Sequence, residues 1–189
     1  MIRSFIALEL KDTETLENIK KFSSRLKKNQ SKIKLVESEN LHLTVKFLGD
    51  ISENLAPKIY EEIRELNQKF FEERKLQYTM KGVGQFNKFS VIWIKLNGNI
   101  ALLQEIKDIL EENLFKKYHI ERDKRAQFKP HLTIGRLNKK RIDFKSFESF
   151  KNIINQNKDT KYGIFTIEQI KLKKSVLTPN GPIYSDLVY

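Results

Sequence analysis

The sequence predicts an α+β fold: a bilobal, pseudo-twofold duplicated arrangement with antiparallel sheets lining a central cleft and helices outside. Three observations predict it. Stretches of period-two apolar alternation interleave with stretches of period 3.6, so hairpins and helices are mixed along the chain. A seven-residue segment recurs 89 positions later, a little under half of the 189 residues: His42-Leu43-Thr44-Val45-Lys46-Phe47-Leu48 and His131-Leu132-Thr133-Ile134-Gly135-Arg136-Leu137. No Ser/Gly-rich linker divides the chain, so residues 1–189 read as one domain of two lobes with one His-x-Thr in each.

Element by element, Arg3 to Leu10 reads as a strand. Leu16, Ile19, Phe22 and Leu26 then recur at helical steps. Leu41 to Leu48 is a strand by strict alternation, with Leu41, Leu43, Val45 and Phe47 on one face and His42, Thr44 and Lys46 on the other. Ser52 is a candidate N-cap for a second helix, whose stripe is Leu55, Ile59, Ile63, Leu66 and Phe70. Leu76 to Met80 and Val91 to Leu96 read as strands joined through Gly82-Val83-Gly84-Gln85-Phe86. A helix from about Ile100 to Tyr118 carries Leu103, Ile106, Leu110 and Leu114. Arg122 to Lys129 is a basic loop, Pro130 precedes a strand from His131 to Leu137, and Phe144, Phe147 and Phe150 mark a short helix ending near Asn155 to Asp159. Gly163 to Leu177 reads as one long strand. Thr178-Pro179-Asn180-Gly181-Pro182 is the strongest turn signal, with Ile183 to Val188 returning as its hairpin partner.

Composition narrows the function. Thirteen Phe with many Ile and Leu suffice for a core and exclude wholesale disorder. With no Cys, disulfides, thiolate zinc sites, iron–sulfur ligation and cysteine nucleophiles are excluded. An all-histidine metal site would consume all three His. No stretch approaches the ~20 apolar residues of a membrane span. Glu9, Lys11 and Asp12 cut the opening apolar run too short for a signal-peptide core, so a cytoplasmic protein is expected. The net charge of +12 fits a polyanionic partner, nucleic acid before a membrane surface. A Lys-rich composition without partner meaning is the alternative.

The duplicated His-x-Thr carries the chemistry. On composition alone, two of three His each followed two places on by Thr is roughly a 0.5% coincidence. In a strand, residues i and i+2 point the same way, so each motif offers an imidazole beside a hydroxyl. Duplication would bring two imidazoles and two hydroxyls around one small volume. Hydroxyls can hold the non-bridging oxygens of a phosphodiester. Two imidazoles titrating near neutrality can divide the work, one neutral and accepting a proton, the other protonated and donating one. No metal or covalent nucleophile is needed, and no His-x-His or His-x-x-x-His pairing suggests one. His119, next to Tyr118 and without a Thr at the right place, reads as an exposed helix-end residue.

These residues resemble the 2H phosphoesterases, and most closely the RNA 2′,3′-cyclic phosphodiesterases once called 2′-5′ RNA ligases (LigT-like). The resemblance runs nearly end to end, through Arg3-Ser4-Phe5-Ile6-Ala7, His42 to Gly49, Gly82 to Phe86, Phe128 to Arg136 and Leu177 to Tyr184. One departure is Asn87-Lys88-Phe89, where members often carry Pro. The resemblance implies hydrolysis of a ribose 2′,3′-cyclic phosphate at an RNA end to a 2′-phosphate. It implies that His42 protonates the 3′-oxygen leaving group, that His131 activates water, and that Thr44 and Thr133 grip the phosphate. It matches Arg136 to an arginine near the phosphate and Phe47 to a base-stacking aromatic. Both lie five residues after their His, and strict alternation would turn them coreward; a twist or bulge, which Gly135 would permit in the second copy, could turn them to the cleft.

No cofactor is implied. The expected partners are RNA ends or cyclic nucleotides, tRNA fragments among them, with no membrane and a monomeric chain. Lys46, Lys81, Lys88, Arg122, Lys124, Arg125 and Lys129 are candidates to track RNA, and Phe86, Phe89 and Phe128 could stack on bases. Two alternatives remain open. One is ATP-independent 2′-5′ joining of RNA ends at the same site; the other is a non-catalytic RNA- or nucleotide-binding module, which would have no need of paired acid/base groups.

Overall fold

The computed structural model describes residues 1–124, 127–179 and 181–189. Its first sheet has the order β3-β1-β8-β9, built from β1 (Ile2–Glu9), β3 (His42–Ile51), β8 (Lys171–Thr178) and β9 (Gly181–Asp186). Its second sheet has the order β2-β6-β5-β4-β7. These strands are β2 (Lys34–Leu35), β4 (Leu76–Phe86), β5 (Val91–Asn97), β6 (His131–Arg136) and β7 (Lys161–Ile167). All pairings are antiparallel. Setting β2 aside, the two orders correspond strand for strand, with the His-bearing strands β3 and β6 in equivalent places. This is the duplicated α+β arrangement the repeat predicts.

Among the described residues, four amphipathic helices cover the outer faces. α1 (Thr13–Asn29) is capped by Asp12, which accepts from the Thr15 N–H at 2.8 Å. It buries Ile19, Phe22 and Leu26 and packs against α4 (Phe144–Gln156) and β7. α1 also closes the edge of β7: the Thr15 hydroxyl accepts from the Ile164 N–H at 2.9 Å and donates to the Ile164 carbonyl at 3.0 Å, and Asn18 donates to the Tyr162 carbonyl. Gly163, at φ +143°, allows this approach, since a Cβ there would meet the Thr15 hydroxyl at 2.0 Å. α2 (Ala56–Phe71) packs against α3 (Ile100–Tyr118) and β8. The stripes read from the sequence are buried at Ile59, Ile63, Leu66 and Phe70 on α2 and at Leu103, Ile106, Leu110 and Leu114 on α3, while Leu55, half-buried, precedes α2. No helix among the described residues is long and apolar enough to cross a membrane.

Several boundaries differ from the sequence reading, each for a local reason. Ser52 is not the N-cap of α2. Its carbonyl accepts from the Leu55 and Ala56 N–H groups in a turn, and the helix starts at Ala56 with Pro57 in its first turn. Gly82 to Phe86 is not a connection but the second half of β4, irregular in register against β5 between Met80 and Val83. The true turn is Asn87-Lys88-Phe89, all three at φ between +51° and +67°, values a proline ring cannot adopt. The long strand expected from Gly163 to Leu177 is two strands. β7 belongs to the second sheet and β8 to the first, and Glu168-Gln169-Ile170 carries the chain between them. Asn180 of the predicted final turn lies outside the described residues.

Candidate active site

Each His-x-Thr sits on the face that its sheet turns toward the other, and His42, Thr44, His131 and Thr133 all line one cleft of about 1320 Å³. Both motifs alternate as expected at first: Leu43 and Leu132 are fully buried while the His and Thr are half-buried. Each imidazole is held in the same way. His42 Nδ1 lies 2.7 Å from the Asn40 carbonyl, and His131 Nδ1 lies 2.7 Å from the Lys129 carbonyl, two residues back in both cases. A carbonyl can only accept, so Nδ1 carries the proton in both rings and Nε2 is the nitrogen whose protonation changes.

Aromatic rings complete the seats. His42 lies 4.9 Å from Phe5 and 5.1 Å, edge-on, from Tyr184. His131 lies 5.0 Å from Phe86 and 6.0 Å from Trp93. The Trp93 ring in turn lies over Gly84, where a Cβ would meet it at 2.2 Å. Neither Tyr184 nor Trp93 was distinguishable as a site residue in the sequence. No spacing rule reports them, because sheet order alone brings β9 and β5 beside the histidines.

The electrostatic surroundings of His42 act on its titration. Burial is the largest influence on His42 and pushes its pKa below the ordinary imidazole value; the Lys173 and Arg136 charges act the same way, opposed by the Asn40 carbonyl and Glu9. Glu9 is the cross-strand partner of His42. With Lys171, Lys173 and Asp186 it forms a four-charge cluster on this sheet. Tyr184 has its pKa raised by burial, an effect that the Arg136 and Arg3 charges oppose.

Phe47 and Arg136 both line the cleft, and Phe47 is 70% exposed. The cause is a bulge at the same place in each copy. Against β1, Ala7 pairs with Thr44 and Ile6 with Lys46, so Val45 is the extra residue; against β5, Trp93 pairs with Thr133 and Ile92 with Gly135, so Ile134 is. Two consecutive residues then face the core, Val45-Lys46 in one copy and Ile134-Gly135 in the other. The fifth residue after each His is thereby turned back to the cleft. Phe47 accordingly leaves the core face that strict alternation gave it.

The same bulge overturns the reading of Lys46. It is not on the His42 face and does not track RNA from there: its side chain is 1% exposed. Its ammonium donates to Glu111 at 2.9 Å, to the Glu121 carbonyl at 2.8 Å and to Asp123 at 3.1 Å. Buried Lys107 joins the same two carboxylates at 2.7 and 2.6 Å. Two cations and two anions balance there, tying β3 and α3 to the loop before β6. In the second copy the equivalent inward position is glycine, and Ile33 and Leu35 cover it.

The other basic candidates divide. Lys124 and Lys129 line the cleft, whereas Arg122 pairs with Glu112 and lies 4.1 Å over the Phe115 ring. Lys81 and Lys88 are exposed away from it, and Arg125 lies outside the described residues. Phe86 and Phe128 line the cleft; Phe89 instead packs on Phe147 and Phe150. His119 is the left-handed C-cap of α3 and is exposed, as its place in the sequence suggested. Among the described residues, no group of three His, Asp or Glu side chains is placed to hold a metal ion.

Comparison with known proteins gives a concordant picture. A family profile described as the AKAP7 2′5′ RNA ligase-like domain matches residues 4–184. A Methanocaldococcus jannaschii protein named RNA 2′,3′-cyclic phosphodiesterase is 39% identical, over 97% of this chain and 96% of its own. An Archaeoglobus fulgidus protein of the same name is 33% identical, over 98% of each. Among solved structures, protein TT0787 of Thermus thermophilus superposes with a TM-score of 0.74 at 21% identity, covering 99% of this chain and 96% of its own.

Proposed function

The chain belongs to the 2H phosphoesterase family, in its 2′-5′ RNA ligase-like branch, and on that premise we propose that it is an RNA 2′,3′-cyclic phosphodiesterase, opening the cyclic phosphate at an RNA end to a 2′-phosphate. The observation that carries this reading is the matched pair of imidazoles. Each has Nδ1 committed to the carbonyl two residues back, and each stands beside a Thr hydroxyl on one cleft. Non-catalytic binding would have no use for two proton-transfer groups fixed in the same tautomer.

In the reaction proposed, His131 Nε2 accepts a proton from water as the water oxygen forms its bond to phosphorus. The bond from phosphorus to O3′ breaks, and His42 Nε2 delivers its proton to O3′. The product carries a 2′-phosphate and a 3′-hydroxyl, and proton exchange with solvent restores both rings. Thr44 and Thr133 donate to the non-bridging oxygens, Arg136 adds charge, and Phe47 offers its exposed ring to the terminal base. No step calls for a metal. Burial disfavours the His42 imidazolium, and a phosphodiester anion bound beside it opposes that effect. The 189 residues act as one two-lobed domain in this reading, as a cytoplasmic monomer on RNA ends that include tRNA fragments.

The test is product analysis. A short RNA ending in a 2′,3′-cyclic phosphate should yield a 2′-phosphate terminus, and should do so in EDTA. A 3′-phosphate product, or activity lost in chelator and restored by a divalent ion, would overturn the mechanism. Accumulation of joined RNA in place of hydrolysis would favour the 2′-5′ ligase alternative.

A further inference from the structure

We infer that Lys34, on the two-residue strand β2, is part of a second phosphate subsite beside Arg136. It would take the internucleotide phosphate one step 5′ of the cyclic end, and so favour oligonucleotides over mononucleotides. The inference rests on the hydrolase reading for what lies at the catalytic centre, but its own evidence is separate.

β2 is a small element held firmly. Ile33 is fully buried, the Val36 N–H donates to the Ile134 carbonyl at 3.0 Å, and Leu35 pairs with Gly135. Gly135 eases the approach, because a Cβ there would crowd the tip of the Ile33 side chain at 3.0 Å. The register sets Lys34 directly opposite Arg136, so both side chains leave the sheet on the cleft side. Both are exposed, and both line the cleft together with Lys32.

Two like charges directly opposed across an antiparallel pair are destabilising. The chain's buried cation pairs, Lys46 with Lys107 and Lys171 with Lys173, are balanced by carboxylates, whereas Lys81 and Lys161 face each other on the exposed surface, away from the cleft and without an ion pair to a described residue. Neither Lys34 nor Arg136 makes an ion pair with a described residue, and Glu37, the acid nearest on this segment, pairs with neither. What sets Lys34 and Arg136 apart is their place: two adjacent cations without carboxylate partners among the described residues, on the cleft wall, suit a ligand bearing negative charge. Arg136 already lies near enough to His42 to depress its pKa, which puts Lys34 one strand further out from the reacting phosphate. In an RNA chain the next negative charge in that direction is a phosphodiester.

The experiment compares kcat/KM on a nucleoside 2′,3′-cyclic phosphate with kcat/KM on a dinucleotide bearing the same end, together with the salt dependence of binding of the dinucleotide 3′-phosphate. For the wild type, the dinucleotide should be the better substrate. In Lys34→Gln that advantage should shrink by about tenfold, since a charge-assisted contact is lost. The log–log salt slope of binding should also fall by roughly 0.7, the value of one single-strand phosphate contact. Lys34→Arg should restore both. An unchanged advantage and an unchanged slope, with both substrates still turned over, would remove the subsite and leave the hydrolase. A Lys34-dependent slope without turnover of either substrate would remove the hydrolase and leave the subsite.

Discussion

His42, the proposed general acid, has its pKa lowered chiefly by burial. That makes the pH dependence informative. kcat/KM reports the free enzyme, so its alkaline limb should fall below the ordinary imidazole value; kcat reports the complex, where the substrate anion favours the imidazolium, so its alkaline limb should lie higher. If the two limbs coincide, His42 is not the acid. His131→Ala should keep the alkaline limb and weaken the acidic one, and His42→Ala the reverse. Each should lower turnover by ~10²–10⁴-fold, as expected for loss of a general acid or base, with exposed His119→Ala as the near-silent control. Lys46 gives a stability prediction. Lys46→Ala leaves Glu111 and Asp123 with Lys107 as their remaining partner in this cluster, and should cost about 3–5 kcal/mol in chemical denaturation, whereas Lys46→Met, which fills the same space, should cost less. At this scale the two His and two Thr were legible because a repeat marks them twice. Lys46 was not, because nothing in a single lysine's sequence context reports that its strand bulges.

The bulge is the element that decides the site, and it is duplicated along with the motif. It explains why residues five places after each His reach the cleft although alternation forbids it. One extra residue leaves apolar periodicity nearly intact on either side, so the pattern identifies the strand and is blind to the turn of its final residues. β2 escaped notice for a related reason, being too short to show any period. β4 offers the sharpest test of how a strand supports chemistry. Gly84→Ala would drive a methyl into the Trp93 ring, which borders His131. It should destabilise the fold by roughly 1–3 kcal/mol and lower kcat more than it raises KM. A stability loss with kcat intact would mean that Trp93 serves packing alone.

Over the whole molecule the +12 charge should act through the substrate. Binding of a longer RNA should weaken with salt more steeply than turnover of a cyclic mononucleotide does, because only the former places several phosphates on Lys and Arg; equal slopes would detach the charge from RNA. The two-lobed plan was readable from one offset and one motif. The crossing at Glu168-Gln169-Ile170 was not, since β7 and β8 share a period and three residues separate them. That crossing sends the chain back to the first sheet, where β8 pairs with β1, residues 171–174 against 4–7. A polypeptide emerging from the ribosome therefore exposes His42 early, while Tyr184 and the strand that closes its sheet arrive more than a hundred residues later. The half of the site around His42 is thus assembled last, and a nascent chain should gain turnover of a 2′,3′-cyclic phosphate only once β8 and β9 are out.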